Sequence, residues 1–417
     1  MLNPAAAGLR RGQGESGMDG DSAAADAEFA DQVDEFDRQI RQTVEDALSV
    51  STWTAGERMS DLEERLEREV REAVAYEAGK SGVLEMVRQS FPDNPAASKE
   101  SCIQTVTPEQ IGATLRSVLF NGLVEACDGT RVSYDTLPIS VIQIGLCMTT
   151  YLDDGEPTSV GHRLYRHDMV RRHDNAEEEL LAFLQQRARS SKPDENGDVA
   201  GISDMLVRAI MEHGERYLLT ERSKKPWRMG HGLPYPYEMM TGSGSAKIIE
   251  LSLELLPKLL GEHKKFVFVP SETGDRALRT IANALQPLQY AVLTNTKYII
   301  DAYLRGSYRG KYSVFKPSLL RFRDEIASKV VVGVYKASRF SPGHIFYAHE
   351  DHVHEAALIA MADSALQEHR GFPNLIDIAD RLCKSTFDPS GIAANVNAVF
   401  AAQGEPFRYL LERSTRA

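Results

Sequence analysis

The spacing of apolar positions changes along the chain. Phe29, Val33, Phe36, Ile40, Val44 and Ala47 recur at steps of four and three, the seam of an amphipathic or coiled helix. Leu62, Leu66, Val70 and Val74 place a second stripe on a helix that begins near Asp61. Its other face is dense in Glu and Arg, at spacings that support one another across a helical turn. Residues 1–25, rich in Gly, Ala, Ser and Asp, have little to pack and read as a disordered tail. The pattern predicts a helical arm over 26–104, which either mediates self-association or partner docking or packs back on its own chain.

From residue 105 the period shifts towards strands. Thr107-Pro-Glu-Gln reads as a helix start, with Thr107 as N-cap and Pro108 in the first turn, running towards Phe120. Leu123 to Cys127 reads as the end of a buried strand. Asp128-Gly129 then carries a turn signal, and Ile139 to Met148 is a β-branched apolar run suited to a second strand. A third strand is predicted around Val160 to Tyr165, after a tight turn at Asp153-Asp154-Gly155. Helices are expected over Ala176 to Arg189 and Ile202 to Thr220, with a surface loop from Ser190 to Gly201. The stretch Trp227 to Glu238 has two glycines around His231 and two prolines, so it reads as neither helix nor central strand, but as a turn presenting a side chain at a strand end. Further helices are expected over Ala246 to Leu260, Asp275 to Leu285, Val353 to His369 and from Pro373 onwards. Strands are expected at Lys265 to Pro270, Tyr290 to Leu293, Val330 to Tyr335 and Gly343 to Ala348. Val330 to Tyr335 is nearly pure valine, as in a central strand covered on both faces. Hairpins followed by alternating strands and helices give a mixed α/β sheet flanked by helices over 105–417.

Charge narrows the partners. The 417 residues carry a formal net charge of −12, which argues against tight unaided binding to nucleic acid. A groove can still be locally basic, and Arg163, Arg166, Arg171, Arg172, Lys224, Lys225 and Arg228 are the candidates, with a solvated surface as their ordinary reading. No apolar run reaches the length of a membrane span. Cys102, Cys127, Cys147 and Cys383 show neither metal spacing nor a disulfide framework, and are expected as reduced thiols in a cytoplasmic protein.

Candidate chemistry is scattered. Metal-assisted phosphodiester hydrolysis needs carboxylates converging from distant elements. Asp128, Glu212 or Glu215, His231 and Asp380 are available for it, although each has a plain structural reading as a turn or surface residue. The cluster His349 to Glu355 lacks the paired histidines of a zinc helix and reads as a polar loop and helix start. Gly242-Ser-Gly-Ser lacks the lysine of a phosphate-binding loop, and there is no nucleophile-elbow signal for Ser/His/Asp catalysis.

Three pieces, in this order, resemble the NurA family of DNA-end-processing nucleases: Cys127-Asp128-Gly129-Thr130, a helical Glu followed by Trp227-Arg-Met-Gly-His231-Gly232-Leu-Pro, and Gly371-Phe372-Pro373 to Asp380. The resemblance spans about residues 105–400 and implies a ribonuclease H-like core, Mn²⁺ or Mg²⁺, DNA as substrate, a homodimer and a HerA-like hexameric ATPase as partner in DNA end processing or anti-phage defence. It also implies that Asp128, Glu215, His231 and Asp380 are the ligand set, with Glu212 as the alternative for Glu215. Three positions depart from the family pattern: His231 stands where the family has aspartate, Asp380 where it has histidine, and Phe372 replaces a tyrosine. The set therefore keeps its ligand types in exchanged places, which favours manganese. The competing reading is an inactive adaptor that binds and regulates the translocase.

Overall fold

The structure is a computed structural model. It describes residues 44–53, 59–78, 82–90, 103–136, 139–152, 158–167, 204–236, 246–271, 275–306 and 310–406, with 239, 308 and 408. The expected tail at 1–25, most of the Phe29 to Ala47 seam, the turn at 153–155, the helix at 176–189, the loop at 190–201 and residues Cys102, Arg171 and Arg172 lie outside them.

The chain divides into two units, 1–79 and 80–417. In the first, helix α1 (Met59–Ala78) carries the predicted stripe, and Leu66, Val70 and Val74 are exposed on it. In the second, helix α2 (Val83–Ser90), within the span expected as arm, buries Val87 in the core of that unit.

The larger unit is built on one nine-stranded mixed sheet: β1 (Ile103–Thr105), β2 (Val124–Asp135), β3 (Ile139–Thr149), β4 (Thr158–His167), β5 (Trp227–His231), β6 (Phe266–Val269), β7 (Gln289–Asn295), β8 (Val330–Lys336) and β9 (His344–His349). Their spatial order is β1-β7-β8-β9-β6-β5-β2-β3-β4. Strands β2, β5 and β6 run parallel, and every other neighbouring pair is antiparallel. Strand β8 alternates as its valines require. Val330, Val332 and Val334 enter one core, while Val331 and Tyr335 enter the other, so both faces are covered.

One face is covered by helix α4 (Asp204–Tyr217), extended by a π-helical turn at Leu218–Arg222, and by α5 (Ala246–Leu256) and α6 (Arg276–Ala284). The other is covered by α3 (Pro108–Thr114), α9 (Val353–Ala365) and α10 (Asn374–Phe387). The start of α3 is the predicted one. Thr107 Oγ1 accepts from Gln110 N, and the Gln110 side chain accepts from Thr107 N, which closes a capping box. Helices α7 (Lys297–Gly306), α8 (Lys316–Phe322) and α11 (Pro389–Ala402) also belong to the unit.

Two local expectations are corrected. Asp128-Gly129 is not a turn: both residues lie inside β2, opposite Cys147 and Leu146 of β3. The reversal falls after Asp135, where Thr136 N and Oγ1 both donate to Ile139 O. The apolar ladder with β3 outweighs the local turn preference of Asp-Gly. Trp227 to His231 is a central strand after all, paired in parallel on both sides. Its glycine serves packing, because a Cβ on Gly230 would stand 2.1 Å from the Phe268 ring.

Candidate active site

The site forms where β5 runs out. Pairing of β2 with β5 ends at Cys127 and Gly230, so Asp128 and His231 are the next residues on two parallel strands. They face each other there, with His231 Nδ1 3.3 Å from Asp128 Oδ1. Gly232, at φ +80°, then turns the chain off the sheet, a conformation that favours glycine. The far side of the ring is held by Ser271, just past the end of β6, whose Oγ is 3.0 Å from His231 Nε2. Phe372 packs edge-on against the imidazole at 6.0 Å between centroids.

Glu215 approaches from α4. Successive strand residues point to opposite faces, and a Cβ on Gly129 would stand 2.7 Å from Glu215 Oε1. The absence of a side chain at 129 is therefore what lets the carboxylate lie against β2. Glu215 is paired with buried Arg216 at 2.8 Å. Arg216 also donates to the carbonyls of Glu212 and Leu233, tying α4 to the segment after β5. Burial pushes the Glu215 carboxyl up to about 8; Arg216 opposes this and the Asp128 charge adds to it. Burial depresses the His231 imidazole, but the hydrogen bond and charge of Asp128, with Glu215 behind, outweigh burial and leave it raised.

A cavity of about 330 Å³ adjoins these groups, lined by Arg131, Arg208, Glu212, Glu215, His231 and Gly232 among others. Arg208 pairs with Glu212 at 2.5 Å. Asp380 lies on α10, which packs on β2 and β3, but its carboxylate is engaged by Lys384 at 2.7 Å. The Asp380 hydrogen bond, and beyond it the Asp128 charge, raise the Lys384 ammonium. The third motif thus touches the site through the Phe372 ring. Among the described residues, no group of three or more His, Cys, Asp or Glu side chains stands close enough to hold a metal ion. As the side chains stand, Asp128 faces an imidazole, and Glu212, Glu215 and Asp380 each face a protein cation, so they do not form a cation cage.

The expected nucleic-acid contacts are differently placed. Arg163, exposed on β4, donates to Gln143, and Arg166 is on the same strand. Lys224 and Lys225 precede β5, Lys224 exposed. Arg228 sits half-buried in β5, its guanidinium donating to Ser223 O, where burial lowers its pKa. Cys127, Cys147 and Cys383 are free and buried, and no described helix is long and apolar enough to cross a membrane. Sequence reasoning missed Arg131, Arg208, Ser271 and Lys384. The spacing Arg208, Glu212, Arg216 was a usable signal, since steps of four share a helix face. Ser271 had none, because only the sheet brings it to His231.

No protein-family profile matches the chain, and no curated protein matches it. Among the solved structures similar to it are NurA nucleases. The NurA nuclease from Sulfolobus solfataricus is 10% identical, covering 83% of this chain and 98% of its own, at a TM-score of 0.41. A NurA structure with manganese is 9% identical over 70% of this chain and 95% of that one, at 0.37. NurA bound to dAMP and manganese is 8% identical over 65% and 88%, at 0.33.

Proposed function

We propose that the chain is a deoxyribonuclease that hydrolyses phosphodiester bonds at the end of β5. The observation that carries this reading is the pairing of Asp128 with His231 at the end of β5, beside a cavity lined by His231, Glu212, Glu215, Arg131 and Arg208. Guanidinium groups suit phosphate oxygens, and the acid and imidazole suit proton transfer. The cavity brings Arg131 and Arg208 together with Glu212 and Glu215, Arg208 being paired with Glu212. A ribonuclease H-like core belongs to the same proposal. It is supported by the order β4-β3-β2-β5-β6, with hairpin partners on one side of β2 and parallel strands on the other.

The dependence on Mn²⁺ or Mg²⁺, the ligand set Asp128, Glu215, His231 and Asp380, the homodimer and the HerA-like ATPase remain parts of the proposal that come from the motif resemblance. The adaptor reading has one observation in its favour, namely that the acids are already paired, Asp128 with His231, Glu212 with Arg208, Glu215 with Arg216 and Asp380 with Lys384. Incubating the purified chain with linear and plasmid DNA, in MnCl₂, MgCl₂ or EDTA, separates the two. Cleavage by the wild type, reduced about a hundredfold or more in Asp128→Ala, is the expected result. Equal cleavage by the variant removes the site, and no cleavage in any condition leaves the adaptor.

A further inference from the structure

Cys383 anchors helix α10 to the sheet. Its thiol is hydrogen-bonded to the backbone of Thr130 and to the thiol of Cys147. Cys147 stands opposite Asp128 in the β2–β3 ladder, and Thr130, two residues on from Asp128, points to the same side of β2. The helical turn from Asp380 to Lys384 therefore lies over Asp128, and buried Leu375, Ile376 and Ala379 fix the helix there. Lys384 is one turn on from Asp380 and bonds its carboxylate at 2.7 Å, with the lysine side chain 59% exposed. The ammonium is raised by this hydrogen bond and, beyond it, by the charges of Asp128 and Asp377. A cation of the chain itself thus stands with two carboxylates that the motif resemblance makes metal ligands, and it is what keeps Asp380 out of a cation cage.

We propose that Lys384 is a built-in competitor for cations at this site: its ammonium neutralises Asp380 over Asp128, and a divalent ion binds only when that side chain swings out. The identity of the ion rests on the nuclease reading, but the placing of Lys384 does not. An exposed ion pair one helical turn apart is weak, worth about a twofold change in an equilibrium. The lysine therefore leaves Asp380 readily, while α10 keeps its place through its buried residues. Arg216 is the contrasting case. It is buried against Glu215 and also bonds the carbonyls of Glu212 and Leu233, so it is a fixed part of the fold. Of these two cations Lys384 is the movable one. A unit charge a few ångströms from a divalent ion weakens its binding by about tenfold in the dielectric of an exposed site. Lys384 is thus a positioning residue that acts through Asp380 and sets the concentration at which the ion enters.

The test is binding of Mn²⁺ to the full chain without DNA, read from the electron paramagnetic resonance of the free ion during titration with MnCl₂. The expected result is that Lys384→Met binds the ion about tenfold more tightly than the wild type, at equal thermal midpoints in EDTA. Lys384→Arg keeps the charge and is expected to keep the wild-type affinity. Lys247→Met, which breaks an exposed pair with Glu250 on α5, is the control and should change nothing. The gain is expected to vanish in an Asp128→Ala background, which ties it to this site. Equal binding by Lys384→Met and the wild type, absence of binding in both included, overturns the proposal. So does an equal gain in Lys384→Arg, or a gain that survives Asp128→Ala. DNA cleavage by the wild type in any of those cases leaves the nuclease reading in place. Tighter binding in Lys384→Met without any DNA cleavage supports the competitor and removes the nuclease reading.

Discussion

Gly129 shows how one missing side chain shapes the site. The nearest atoms to a Cβ at this position are Glu215 Oε1 and Met211 Cγ, both at 2.7 Å, and Leu146 Cδ2 at 2.9 Å. The carboxylate is the end of a movable side chain, but Met211 and Leu146 are packed between α4 and β3 and have little room to yield. Gly129→Ala should therefore push α4 off the sheet, destabilise the fold by about 1–3 kcal/mol and displace the Glu215 carboxylate from β2. Urea unfolding measures the first effect and DNA cleavage the second, and an unchanged midpoint would show that α4 does not rest on β2 here. The sequence marked this residue for a different reason, as the glycine of an Asp-Gly turn. Asp128, Glu215 and His231 were all legible as chemistry-bearing positions. Their mutual placement was not, because it depends on where β5 stops pairing with β2, which no local pattern encodes.

At the scale of elements, the helix-bounded strands were legible wherever period and end signals agreed, as at Thr107 for α3 and along β8. They were not legible where packing overrode local chemistry, as in β5, whose glycine accommodates Phe268. The joint between α9 and α10 makes a testable case of such buried chemistry. Asp363 is fully buried on α9; it accepts from Leu375 N at 2.8 Å, capping α10, and from the Tyr151 hydroxyl. Burial raises its pKa to about 6, against the hydrogen bonds from Tyr151 and Leu375. An acid with a folded value above its unfolded value of about 4 binds its proton more tightly when folded. Its contribution to stability is therefore complete below pH 4, is lost as pH rises through 6, and is constant above that. Two units correspond to about 3 kcal/mol. Asp363→Asn should remove this fall, so the difference in unfolding free energy between variant and wild type should change by about that amount between pH 4 and 7. Parallel curves for the two proteins would place the titration elsewhere.

At the scale of the molecule, the division at residues 79 and 80 sets how the arm can be tested. Helix α1 exposes Leu66, Val70 and Val74 at helical spacing, an apolar stripe of the kind that self-association covers. Helix α2 is different, because Val87 is buried with the core of the larger unit and α2 packs on α6. The two deletions therefore have different expected outcomes. Removing residues 1–79 should leave the thermal midpoint and DNA cleavage of the remainder unchanged while lowering its mass in solution to that of a monomer. Removing residues 1–100 should in addition lower the midpoint, because the core loses Val87, a cost of about 1–3 kcal/mol for a buried valine. Sedimentation and thermal unfolding of both truncations give the reading. If the shorter truncation keeps the oligomeric mass of the full chain, the stripe on α1 has no part in assembly, and a dimer would have to be sought on the surface of 80–417.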